Sequence, residues 1–298
     1  MKTGILLFTN LALLAVLDGV NTLSAQQRAS ERRVADPGGT QFNVQFLRSS
    51  GGPVIPIFEG WYQHPEGGYE LSFGYFNVNT EELLEIPLGP NNFIEPKKYD
   101  GLQPTTFLPM PVGDRRHWGV FTVPVSADFG DQDVVWTLRV HGQELSVPGR
   151  VTSPPYQLNG WTVPGEGTGS PLLRFDPDGL AGRGPWGLKT GPLTVRVGQA
   201  LQLNAWTRRD KKFESDTRPI HIKWFKHQGP GNVDFSNTEG KVRADLWIDS
   251  TTGALVDTSA VFSEPGKYVV RILAFNTIRE FEFQCCWTNG YIDVMVVE

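Results

Sequence analysis

The chain has 298 residues, of which 39% are hydrophobic, 20% charged and 11% aromatic. That balance describes a globular protein and excludes a disordered or coiled-coil chain. With 33 Gly, 22 Pro and no three-residue period, it predicts many turns, few long helices and no collagen. A net charge of −5 without a basic block argues against nucleic acid or anionic lipid as a partner, because nothing would displace phosphate counterions.

Residues 1–25 have the layout of a secretory signal peptide. Lys2 supplies the positive start, Ile5 to Leu17 the apolar stretch, and Thr22 to Ala25 a small-residue cleavage site. Thirteen helical residues rise only about 20 Å, short of a bilayer core. The reading is therefore export to the periplasm, cell surface or medium, with no transmembrane span in the mature chain. Residues 26–40 are polar and aperiodic and read as a flexible arm.

From 41 to 152 the pattern is strands and turns. Phe42, Val44 and Phe46 alternate with polar neighbours. Phe58 to Tyr62 and Tyr69 to Asn77 flank a Gly-rich loop and read as a hairpin. Strands at Val120 to Val125, Val134 to Val140 and Leu145 to Val147 follow, with Asn91-Asn92 and Pro104 to Pro111 in long loops. Short strands at this spacing predict a β-sandwich. Residues 153–192 hold nine Gly and seven Pro yet keep Tyr156, Trp161, Phe175 and Trp186. They read as an extended connector that packs rather than dangles. From 193 to 298 strands resume at Leu193 to Val197, Leu201 to Trp206, Ile220 to Trp224, Ser259 to Phe262, Val269 to Phe275 and Tyr291 to Val297. Asn289-Gly290 reads as a hairpin turn.

V-x-V-G-Q (Val195 to Gln199), I-K-W (Ile222 to Trp224) and F-S-E-P-G-K-Y-V-V-R (Phe262 to Arg271) make the second half similar to immunoglobulin-like modules of the polycystic-kidney-disease type in exported bacterial proteins. The resemblance implies a sandwich with Trp224 as its core plug and Tyr268 anchoring a strand edge. The first half, through F-E-G-W-Y (Phe58 to Tyr62), F-G-Y-F-N (Phe73 to Asn77) and G-P-N-N-F (Gly89 to Phe93), resembles uncharacterised exported proteins of soil bacteria, which carry no known activity. The expected architecture is mainly β: two Ig-like antiparallel sandwiches joined by a Gly/Pro-rich extended arm.

Chemistry-bearing motifs are sparse. The five His show no zinc spacing, and no cofactor motif is present. Asp176-Pro177-Asp178-Gly179 reads as a polar turn rather than a calcium loop. The only two Cys, Cys285 and Cys286, are adjacent. A strand there would turn one thiol inward and one outward; a soft-metal site is the weaker reading and lacks further ligands. Glu81-Glu82, Asp131/Asp133 and Asp245/Asp249 are carboxylate pairs without a readable cleft. Of the nine Trp, Trp136, Trp206, Trp224 and Trp247 fall in apolar strand patterns and are expected in cores. Trp61, Trp118, Trp161 and Trp186 lie beside Gly, Pro or charge and are the candidate exposed binding aromatics. The functional expectation is a non-catalytic binding or structural protein, in contact with a protein partner or a glycan. The alternatives are a glycan binder using exposed Trp and a secreted hydrolase with a carboxylate site.

Overall fold

Alternating apolar residues become the inner faces of layered sheets in the computed structural model. It describes residues 47–64, 66–109, 116–152, 154–158, 162–163, 168–247, 250–276 and 286–298. The expected signal peptide, the 26–40 arm and the Phe42 to Phe46 strand lie outside these residues. Among the described residues no helix is long and apolar enough to cross a membrane.

The first sandwich uses β1 (Val54–Gln63), β2 (Tyr69–Asn77), β3 (Leu84–Glu85), β4 (Asn92–Glu95), β5 (Thr106–Phe107), β6 (His117–Val125), β7 (Val134–Val140) and β8 (Gln143–Gly149). One sheet runs β1-β2-β6 and the facing one β4-β7-β8. The hairpin expected at 58–77 is present, with Gln63 opposite Tyr69. Leu71 and Phe73 point into a core with Phe107, Phe121 and Leu138, plugged by fully buried Trp136. Trp136 meets Phe121 edge-on at 5.0 Å, the favoured quadrupole geometry. Its indole N–H donates to Asn92 Oδ1 at 3.1 Å, while Asn92 Nδ2 donates to the Ile86 and Pro104 carbonyls. Asn92 is therefore not the loop residue its type suggested. It opens β4 and is fully buried, because its amide satisfies backbone groups that no strand reaches.

Within the Gly/Pro-rich stretch, β9 (Thr162–Val163) and β10 (Thr168–Gly169) form a short ladder. The stretch also supplies β11 (Leu172–Arg174) and the start of β12 (Leu188–Arg196). The second sandwich adds β13 (Ala200–Arg208), β14 (Ile220–Gln228), β15 (Val233–Phe235), β16 (Glu239–Val242), β17 (Ala254–Phe262), β18 (Gly266–Asn276) and β19 (Trp287–Val297). Its sheets are β11-β13-β17-β15 and β12-β19-β18-β14-β16. All pairings are antiparallel except β12 with β19, which is parallel. The arm is thus part of the sandwich: its Gly and Pro mark turns between short edge strands, where a missing N–H costs little.

Trp224 lies in the core of this sandwich at 2% exposure. Tyr268 enters the same core and packs edge-on against Phe262 at 4.9 Å. Its hydroxyl donates to the Glu264 carbonyl at 2.9 Å and accepts from the Gly231 amide at 3.0 Å. This corner pins the turn before β18 to the loop after β14, the arrangement typical of Ig-like folds. Asn289-Gly290 is not a turn. It lies inside β19, with Asn289 opposite Leu273 and Gly290 opposite Ile272. Gly290 fits because a Cβ would collide with Leu173, Phe175 and Ile272. Replacing Tyr268 with Phe strands the buried Gly231 N–H, so we expect a loss of about 1–3 kcal/mol in urea unfolding with an unchanged circular dichroism spectrum.

Candidate functional site

The largest concentration of buried polar groups lies where the outer face of β1-β2-β6 meets the β19-β18-β14 sheet. Its geometry starts with two irregularities in strand pairing. Phe58 pairs with Phe73 and Gly60 with Ser72, leaving Glu59 as the extra residue of a bulge. On the other flank of β2 the register slips between Phe73 and Tyr75, and Gly119 lies in that irregularity. Bulges re-aim side chains and expose backbone groups that regular pairing would consume. Here they turn the Glu59 carboxyl and the Gly119 peptide toward the second sandwich.

The second sandwich answers with side-chain donors aimed at backbone carbonyls. Arg271 Nη1 donates to the Val120 carbonyl at 2.9 Å, and the Tyr291 hydroxyl reaches the same oxygen at 3.2 Å. Asn289 Nδ2 donates to the Gly119 carbonyl at 2.9 Å and to the Pro185 carbonyl at 2.8 Å. Farther along, His227 Nε2 lies 3.0 Å from the Leu102 carbonyl, and Gln228 Nε2 donates to the Gly101 and Gln103 carbonyls. The Thr105 amide donates to the His227 carbonyl at 2.8 Å, and Lys226 Nζ meets Glu85 Oε1 at 3.0 Å. The arm is stitched to the same sheet. Asn276 Nδ2 donates to the Gly169 carbonyl and the Thr288 hydroxyl to the Pro171 carbonyl.

Burial shifts the ionisation of this seam. Glu59 Oε2 accepts from Ser72 Oγ and from the Gly119 amide, both at 2.9 Å. Desolvation still dominates and raises its pKa from 4.5 to about 7, against the pull of the Arg116 charge and these hydrogen bonds. Glu70, on the same sheet, is also raised to about 7 by burial. His227 is lowered to about 3, again by desolvation, with Arg271 adding to the effect. Its ring is therefore neutral at pH 7, with Nε2–H donating to Leu102. These groups are spent on holding backbone. The two surface recesses lie elsewhere, on the second sandwich: one is lined by Thr217, Pro219, Arg243, Ala244 and Asp245, the other by residues of β14 and β16.

The candidate aromatics scatter. Trp61 keeps 8% of its surface and joins the first core, edge-on to Tyr69 at 5.3 Å. Trp118 is half-buried beneath the Arg116 guanidinium, 3.5 Å from the ring centre. Trp186 is half-buried and packs against Tyr62 and His64, which ties the arm to β1. Trp161 lies outside the described residues. Trp136, Trp224 and Trp247 are core residues as expected, but Trp206 is not. Leu203, Ala205 and Thr207 alternate inward on β13, so Trp206 faces outward and stays partly exposed. The sequence showed only apolar neighbours; the strand parity places it.

Cys286 is buried and disulfide-bonded, so it offers no thiolate to a soft metal and is not a free core thiol. Cys285 lies outside the described residues. Among the described residues no group of three His, Cys, Asp or Glu is placed to hold a metal ion. Asp176 to Gly179 forms a turn, with the Gly179 amide on the Asp176 carbonyl. Asp131 and Glu81 are exposed and Asp133 pairs with Arg150 at 2.8 Å, while Asp249 lies outside the described residues.

The fold defined by these sheets is that of an all-β protein of tandem Ig-like sandwiches. No protein-family model and no curated protein matches the chain. Among solved structures it is similar to the D00-D0 domain of intimin at 10% identity, over 83% of this chain and all of that one, with a TM-score of 0.28. It is similar to domains 4 and 5 of the S-layer protein SbsC at 9% identity, over 59% and 69% of the two chains, with a TM-score of 0.25. The enterotoxigenic E. coli CFA/I adhesin CfaE gives 6% identity over 82% and 87%, with a TM-score of 0.23.

Two outcomes follow from the seam. Gly119 has φ +50°, and a Cβ there would collide with the Trp287 indole. Gly119→Ala should therefore lower the melting temperature by several degrees, more than Gly142→Ala, whose Cβ meets open space. A carboxyl with a folded pKa above its unfolded value stabilises the fold while protonated, so that contribution fades as pH rises from about 4.5 through about 7. Its full size is about 3 kcal/mol. Glu59→Gln keeps an acceptor for Ser72 and Gly119 without the ionisation. The variant should melt higher than the parent at pH 8, with the gap closing below pH 5; parallel melting curves across this range would refute the assignment.

Proposed function

We propose that the chain is an exported, non-catalytic structural or binding element of the cell surface or periplasm, in which two Ig-like sandwiches act as one stiff unit. The observation that carries this reading is the seam. Donors from β14, β18 and β19 are matched to carbonyls of the first sandwich, so rotating one sandwich against the other would leave buried groups unpaired. A flexible tandem would need the opposite, an open and weakly bonded junction. The leader expected at residues 1–25 supports the export, and the boundaries 41–152 and 193–298 are the proposed module limits, with the connector between them. The layered fold presents its loops and sheet faces to a protein partner or a glycan.

The test is cell fractionation followed by protein cross-linking on intact cells that make the chain. The expected result is mature protein in the envelope or medium, lacking its first residues and cross-linked to envelope components. Recovery of the uncleaved chain in the cytosol would refute the reading.

A further inference from the structure

The outer face of the β11-β13-β17 sheet has no part in the seam. Its strand register sets out a small grid of side chains. Arg174, Trp206 and Leu255 lie directly opposite one another across three strands. Neighbouring strands are about 5 Å apart, so the three side chains form one continuous row. Arg208, two residues along β13 on the same face, lies about 7 Å from Trp206. Asn204 occupies the row on the other side, opposite Asp257.

The chemistry of this grid is specific. Trp206 is partly exposed, and among the described residues its indole N–H has no hydrogen-bond partner. Leu255 beside it is 54% exposed. Arg174 makes one long contact, from Nη1 to the Pro177 carbonyl at 3.3 Å, so most of its donors remain available. Arg208 is braced by the Thr251 and Arg209 carbonyls. Arg183 lies close enough to be felt by Arg208, but it is engaged by Asp210 at 2.6 Å. Asp257 is likewise engaged, by Gln202 at 2.9 Å. In a chain of net charge −5, the patch around Trp206 is therefore locally cationic, with an aromatic ring at its centre.

We propose that this face binds an acidic glycan, with a sugar ring stacked on Trp206 and its carboxylate paired with Arg174 and Arg208. Three features favour that occupant. A pyranose presents C–H groups to an aromatic ring and hydroxyls to flanking donors and acceptors, which Asn204 supplies. A guanidinium fork matches a carboxylate bidentately. A protein partner would need a broader apolar centre than one Trp and one Leu. Single-stranded nucleic acid would need successive stacking platforms and a basic track, and the rest of the chain is acidic. The site deepens the binding reading above and rests on it for its setting. Failure of the glycan test on purified protein would leave the envelope location and its cross-linking test untouched.

The experiment is isothermal titration calorimetry of the mature chain with short oligomers of galacturonate, of alginate and of hyaluronan. Methyl-esterified oligogalacturonate serves as the uncharged match and oligothymidylate as the nucleic-acid arm. The expected result is binding to at least one uronate oligomer, weakened by added salt and by about tenfold or more on Trp206→Ala. Trp206→Tyr should restore part of the affinity and so separate ring loss from misfolding. Arg174→Gln should weaken the acidic ligand while leaving the ester unchanged. Binding to none of the three uronates, equal affinity for the ester, no effect of Trp206→Ala, or tighter binding of oligothymidylate would each overturn the assignment.

Discussion

The Gly119–Val120 peptide is the point on which the two sandwiches are registered. Its amide donates to Glu59, and its carbonyls receive Asn289, Arg271 and Tyr291 from the opposite sheet. Each such bond adds only about 1 kcal/mol net, but leaving a buried partner unmade costs about 1–3 kcal/mol. The seam is therefore worth less as glue than as a filter. Apolar faces tolerate sliding, whereas a set of directional bonds is satisfied in one orientation. Both bulges beside β2 serve that filter, since regular pairing would have consumed the Gly119 groups and aimed Glu59 elsewhere.

Much of the fold is legible in the chain itself, because one-sided burial imposes a period of two. Tyr69 to Asn77 and Val134 to Val140 read from alternation have the observed strand limits, and the hairpin before β2 follows from its Gly-rich loop. The resemblance to Ig-like modules placed Trp224 and Tyr268 correctly. What escaped is what depends on partners distant in sequence. Asn92 and Asn289 carry turn-forming side chains, yet both lie in strands because those side chains bond remote carbonyls. Short strands such as β11 and β15 have too few residues to show a period. Trp206 was misplaced because an apolar neighbourhood says nothing of which face a ring occupies. Glu59 and Arg271 look like ordinary surface charges until the second sandwich covers them.

The Gly/Pro-rich stretch joins these themes. It reads as a connector by composition, but two of its segments complete the second sandwich and others bond the seam sheet through Asn276 and Thr288. High Gly and Pro content here reflects close approach rather than looseness. At Gly187 a Cβ would run into the Asn289 backbone, so the arm lies flat on β19 only because that side chain is missing. The acidic surplus of the chain and the basic patch around Trp206 are likewise separated in space, a distribution that net charge alone conceals.

The parallel ladder between β12 and β19 has a mechanical meaning. Leu188 pairs with Gly290 and Arg196 with Val297, so the two strands run the same way over most of their length. Tension applied through the residues before β12 and those after β19 pulls the strands lengthwise past each other. The ladder's bonds then bear load together instead of opening one at a time, as they would if a hairpin were peeled from its end. A surface module so wired resists stretching along its chain direction while remaining an ordinary, marginally stable domain at rest.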